Sequence, residues 1–173
     1  MKQYSKRMVI VHWLTLALIV AAWFLGDALD EARHESSATL AGYVVHSLVG
    51  GVILLLALAR LYFRRKDGIP LPTGESPMDK AAKGVHHGLY AVLVLLPVSG
   101  MMTVANSDVG KALLAGDATL LPKKFTGVAP HEVHEILVTV LIVLVVVHVL
   151  GAIWHQYIVK DGLMERMSLR RKN

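Results

Sequence analysis

Two histidines within one apolar run, His134 and His148, have the types and spacing that point most directly to chemistry. Fourteen α-helical residues rise about 21 Å, and at about 100° per residue the second side chain returns to within about 40° of the first. One helix face is therefore marked at two depths. In a bilayer whose hydrocarbon core is roughly 30 Å thick, those depths lie in opposite leaflets, where a polar side chain is costly unless it has a task. Imidazole ligates haem iron and other transition metals, so binding of a redox cofactor heads the chemistries to weigh.

The elements that must position these residues follow from composition. At 173 residues, 54% hydrophobic and with a mean hydropathy of +0.52, the chain is one domain's worth and too apolar for a soluble domain. Four apolar segments, at about 8–25, 40–63, 85–104 and 133–158, are each long enough to cross a bilayer as a helix. The expected fold class is all-α: a single integral-membrane four-helix bundle over 1–173, with cofactors in its interior. The connections are rich in breakers or charge: Gly26 to Ser37, Arg64 to Lys83 with Pro70, Pro72, Gly74 and Pro77, and Asn106 to Pro130. There is no Cys, which excludes disulfides, thiolate metal sites, iron–sulfur clusters and covalently attached haem. Any haem is held non-covalently.

Orientation comes from Lys and Arg. The N-terminal Lys2, Lys6 and Arg7, the second connection (Arg60, Arg64, Arg65, Lys66, Lys80, Lys83) and the tail (Lys160, Arg166, Arg170, Arg171, Lys172) hold fourteen of the 18. The positive-inside rule then places both termini in the cytoplasm. Met1–Leu25 is read as a retained first helix, because no clean small-x-small cleavage site follows its long apolar stretch. The basic residues flank apolar segments and form no stripe, so lipid, and not nucleic acid, explains the pI near 9.6.

With that topology each histidine acquires a depth. His12 lies in the inner leaflet and His46 in the outer; His134 is outer and His148 inner. The four sort into His12 with His148 and His46 with His134, as two six-coordinate b-type haems stacked across the membrane require. Gly50 and Gly51 remove bulk where a flat macrocycle can lie against the second helix, although small residues equally serve helix packing. Arg60 repeats the fourteen-residue spacing from His46, and either pairs with a carboxylate of the inner haem or anchors at the interface. His155, two turns beyond His148, and His86 and His87 at the start of the third helix lie near the inner surface, within reach of a quinone head group or of solvent. His34 and His131 fall in outer connections and are expected to be solvated. Trp13, Trp23, Trp154 and Tyr157 fit interfacial belts, and Pro97 reads as a kink.

At this point the residues resemble a known family. RMVIVHW over Arg7 to Trp13, His46 followed by Gly50 and Arg60, LLPVSG around Pro97, and HEILVTVLIVLVVVH followed by His155 and Lys160-Asp161 are similar, as an ordered set, to the bacterial cytochrome b561 family and its superoxide:ubiquinone oxidoreductase branch. The resemblance implies a membrane bundle with two b haems on His12, His46, His134 and His148, and a ubiquinone contact at His155. It implies electron flow from superoxide at the outer face, through the outer and then the inner haem, to ubiquinone. Against a steered anionic donor, the outer connections carry eight acids (Asp27, Asp30, Glu31, Glu35, Asp108, Asp117, Glu132, Glu135) and four bases (Arg33, Lys111, Lys123, Lys124). Such a face suits a basic periplasmic redox protein. The readings left open beside the oxidoreductase are a cytochrome b conduit for such a partner or a larger dehydrogenase, and a His-dependent metal transporter.

Overall fold

In the computed structural model, which describes residues 3–68 and 77–170, every regular element among the described residues is helical. Pro70, Pro72 and Gly74 of the second connection, and Lys2, Arg171 and Lys172 of the basic count, lie outside the described residues. Helix α1 (Lys6–His34) starts where the Ser5 hydroxyl accepts the Met8 amide, and α2 (Leu40–Asp67) where Thr39 accepts that of Gly42, so each side chain satisfies an otherwise orphaned first-turn donor. Helix α3 (Pro77–Ala105) opens on a proline, whose missing N–H costs nothing there. A short α4 (Asp108–Ala115) and a 3-10 turn (Ala118–Leu120) precede α5 (Ala129–Trp154), which continues into a wide π turn, His155–Val159.

The helices depart most from the sequence reading in three places, while α2 ends and α5 starts about one turn outside the expected bounds. Helix α1 runs past Gly26 to His34, because one interior glycine costs only about 1 kcal/mol and Arg33 and His34 reach back to Asp30 at i+3 and i+4. It stops at Ser36, whose φ of 60° lets the amides of Ser36 and Ser37 return to the carbonyls of Arg33 and Ala32. Helix α3 begins at Pro77, about two turns before Val85. The third connection is partly helical: Lys111 pairs with Asp108 at 2.7 Å within α4, and Gly116, at φ 66°, ends it.

Helix α1 packs on α2, α2 on α3, and α3 on α5. These four helices are long and apolar enough to cross a membrane. Their shared core is Ile53, Ala57, Val92, Leu93 and Leu141, flanked by Leu18, Ile19, Leu89, Leu137 and Leu144. Leu141 lies midway along α5 between His134 and His148, so this aliphatic layer separates two polar levels. Large side chains such as Leu48, Leu55, Ile136 and Val143 point outward, as lipid-facing residues do.

At one end of the bundle the start of α1 and the residues before it meet the 165–167 segment. The Tyr4 amide donates to the Arg166 carbonyl at 3.1 Å, the Gln3 amide to that of Glu165 at 2.9 Å, and the Trp13 indole to that of Met167 at 3.0 Å. Arg7 grips Asp67 at the end of α2 with two donors, and the Ser5 hydroxyl donates to the same carboxylate. Most of the basic residues lie at this end. The opposite end carries α4 and most of the acids.

Candidate functional site

The site is built from four histidines at two levels. At the basic end, α1 and α5 bring the rings of His12 and His148 to 6.2 Å between centroids, with planes 69° apart. At the far level, α2 and α5 bring His46 and His134 to 6.3 Å, with planes 71° apart. Neither α1 and α5 nor α2 and α5 are closely packed helix pairs, so each imidazole couple bridges a gap between helices. Two imidazoles bound on opposite sides of one metal, at about 2 Å each, place their ring centres about 6 Å apart. The geometry of both couples fits such a centre.

Local structure around the far couple fixes ring direction. His134 Nδ1 donates to the Leu96 carbonyl at 3.0 Å and lies 3.1 Å from the Ser99 hydroxyl, which itself donates to Leu96 at 2.8 Å. With its proton on Nδ1, His134 keeps a lone pair on Nε2 for a metal. Close approach of α3 is what makes this contact: a Cβ at Gly100 would stand 3.1 Å from His134 Cε1. Gly26 of α1 plays the matching part for His46, where a Cβ would meet Cε1 at 3.2 Å. His46 Nδ1 is buried and faces the Ala22 carbonyl without a well-formed hydrogen bond. The half-buried Gly50 and Gly51 have no atom of the chain within 4 Å of a built Cβ, so α2 offers a flat, side-chain-free strip beside His46. This open strip and the paired imidazoles are the features that the residues present would offer to a planar macrocycle.

The near couple is set differently. Arg60 Nη1 lies 3.0 Å from His12 Nδ1, its Nε is buried without a partner, and its Cζ stands 5.4 Å from the centre of the Tyr90 ring. His86 reaches farther inward than an interfacial side chain, packing edge-on against His148 at 5.2 Å. Trp13 packs on His12 at 5.2 Å besides its bond to Met167. Among the described residues no three His, Asp or Glu converge as a metal-ion site. Imidazoles in twos suit a metal whose remaining ligands a macrocycle supplies.

His155 stands apart from this couple's ring contacts. It opens the π turn, where its Nδ1 donates to Asp161 Oδ2 at 2.7 Å, and Lys160, at φ 57°, swings the chain back to make that bond. π turns recur at functional sites. Burial works against the Asp161 carboxylate, but hydrogen bonds from His155 and the Leu163 amide outweigh it and hold the group below the usual carboxylate range.

At the acidic end His131, expected to be solvated, stacks on Phe125 at 4.1 Å, and Phe125 in turn lies 4.8 Å under the Arg33 guanidinium. Arg33 is only 9% exposed and is tied to Asp30. The sequence reading did not single out Ser99, the Leu96 carbonyl, Gly100 or Gly26 for the roles they take here. The LLPVSG segment was the one available signal for the first three.

Comparison with known proteins agrees with this architecture. The chain is 28% identical to cytochrome b562 of Cereibacter sphaeroides over 97% of its own length and 96% of the relative's. It is 26% identical to cytochrome b561 homolog 1 of Escherichia coli K12, over 99% of this chain and 100% of that one. It is 24% identical to the probable superoxide oxidase CybB of Yersinia pestis, over 99% and 98%. No solved structure matches the chain. Residues 3–168 match the family of prokaryotic cytochrome b561, and with its four membrane-spanning helices this chain belongs to that haem-binding family.

Proposed function

We propose that this chain is a di-haem b-type oxidoreductase of the bacterial inner membrane, carrying electrons from a donor at its acidic, periplasmic face to ubiquinone at its basic, cytoplasmic face. The observation that carries the reading is the pair of imidazole couples, each near 6 Å between ring centres and separated by the Leu141 layer. A b-type haem, when bound, supplies one-electron redox chemistry. His12 with His148, and His46 with His134, would each hold one haem. Leu96 and Ser99 hold the tautomer of His134, while the aliphatic layer between the couples excludes water.

Reducing a quinone to quinol takes two electrons and two protons, so the inner end must also handle protons. His155 is the residue for this: Asp161 fixes its proton on Nδ1, which leaves Nε2 to accept a proton and pass it to a quinone oxygen. For the donor, superoxide loses one electron and leaves as dioxygen, the activity that the Yersinia pestis relative's name carries. The acidic outer face favours a second donor class, a basic periplasmic redox protein.

The test is a pyridine haemochrome assay on purified protein. Two b haems per chain are expected, His46→Ala and His12→Ala each removing one. A single haem, or a colourless protein that moves metal ions in proteoliposomes, overturns the reading in favour of the transporter. Since the chain has no cysteine, one introduced at Gln3 gives a clean orientation test: labelling only from the cytoplasmic side is expected.

A further inference from the structure

The two imidazole couples sit in opposite electrical settings. His134 of the outer couple donates to two acceptors, the Leu96 carbonyl and the Ser99 hydroxyl, and the Thr103 hydroxyl ties down the Ser99 carbonyl at 2.9 Å. Ser99 is 6% exposed and Thr103 8%, so this acceptor shell is walled from solvent. An imidazole that gives up hydrogen-bond density at Nδ1 becomes a more basic ligand at Nε2 and favours the oxidised metal. The inner couple has a guanidinium against it instead. Arginine stays charged and has no acceptor, so Arg60 on His12 Nδ1 leaves the ring's proton on Nε2. His12 would hold iron through Nε2 only with that proton moved to Nδ1, so what Arg60, 5.4 Å from the centre of the Tyr90 ring, brings to the couple is its charge and not this bond. Its charge remains close to the couple and favours an added electron there.

We propose that Arg60 and the Leu96–Ser99 acceptor pair set the potentials of the two sites apart, the inner above the outer, so that an electron entering at the acidic end comes to rest beside Arg60. This rests on the di-haem reading. The step would move one electron from the site held by His46 and His134 to the site held by His12 and His148, with no proton or atom changing place. Arg60 is a positioning residue that acts by its charge beside His12, and Ser99 is one that acts through its bond to His134.

The experiment is a spectroscopic redox titration of the purified, haem-loaded protein, in which two one-electron waves are expected. Arg60→Gln is expected to lower the upper wave by a tenfold change in its reduction equilibrium, about 59 mV for one electron. Arg60→Lys, which keeps the charge, restores most of it. Ser99→Ala is expected to raise the lower wave severalfold in the same equilibrium and leave the upper wave in place. Arg60→Gln moving the lower wave, Ser99→Ala moving the upper one, or neither variant shifting either wave overturns the inference while the di-haem reading stands. Fewer than two b haems per wild-type chain removes the di-haem reading itself, and this inference with it.

Discussion

Replacing Gly50 and Gly100 by alanine separates two kinds of room in this bundle. At Gly50 no atom of the chain lies within 4 Å of the added methyl, so in the haem-free protein the substitution carries only the helix-propensity gain, about 0.8–1 kcal/mol in favour of alanine. At Gly100 the methyl stands 3.1 Å from His134 Cε1 and 3.3 Å from Nδ1. The ring must retreat by a few tenths of an ångström or abandon the Leu96 carbonyl, an overpacking cost of about 1–3 kcal/mol plus roughly 1 kcal/mol for the hydrogen bond. The two variants are thus expected to differ by several degrees in the melting temperature of haem-free protein, Gly50→Ala at or above wild type and Gly100→Ala below it. Haem content runs the other way at Gly50: a methyl on the strip that a macrocycle covers lowers the haem-to-protein ratio in spite of the stabler helix. The assay is thermal unfolding in detergent, paired with the Soret-to-protein absorbance ratio. A Gly50→Ala protein that keeps full haem content and an unchanged spectrum would refute the placement of a macrocycle against α2 at this level.

Three further outcomes are expected. Asp161→Asn is expected to leave haem content and spectrum as in wild type but to slow quinone reduction by one to two orders of magnitude, because a neutral amide no longer fixes the His155 tautomer; unchanged turnover over pH 5–9 removes the dyad from the proton path. The Asp161 carboxylate is held below its usual range, so its share in docking the tail is present above about pH 4, the unfolded-state value, and is lost as pH falls through the lowered folded-state value; hydrogen exchange at the Leu163 amide measures this. Reduction of the haems by a basic donor protein slows as salt is raised, whereas reduction by pulse-generated superoxide speeds up or stays level, since an acidic face repels an anion less when screened.

How much could be read from the sequence depended on whether a feature was one-dimensional. The depth of a histidine follows from counting residues into a helix, and its side from Lys and Arg, so that His12 shares a level with His148 and His46 with His134 needed no tertiary information, whereas their nearness required the helices to face one another. The settings of those rings were a different matter. That Leu96, Ser99 and Gly100 face His134 depends on the rotation of α3 against α5, which the apolar pattern of a helix exposed to lipid around most of its girth leaves open. Arg60 was legible as a cation at the right level, but its contact with His12 depends on how α2 lies against α1. The extension of α1 beyond Gly26 escaped for a local reason: glycine read as a breaker is here a clearance for the His46 ring, and the Asp30 pairs that continue the helix are polar and so carry no hydropathy signal.

The acidic end itself narrows how a donor can reach the outer couple. Phe125 lies between His131 and Arg33, and His131 is one helical turn from His134, so an aromatic and cationic stack reaches from the acidic surface toward the outer ligand. Arg33 spends much of its charge on Asp30, and His131 stands 3.7 Å from Glu135, which leaves the approach to this stack rimmed by carboxylates. A small anion must then find its way against the local field, while a protein with a lysine-rich rim is drawn to it and can bring an exposed redox group over Phe125. Phe125→Leu separates the two approaches. It removes the aromatic ring that joins Arg33 to His131 in this stack, yet leaves Arg33 and Lys124 in place for a diffusing anion. Loss of turnover with a protein donor at unchanged superoxide-driven reduction supports the stack as a docking platform, and equal loss with both donors refutes it.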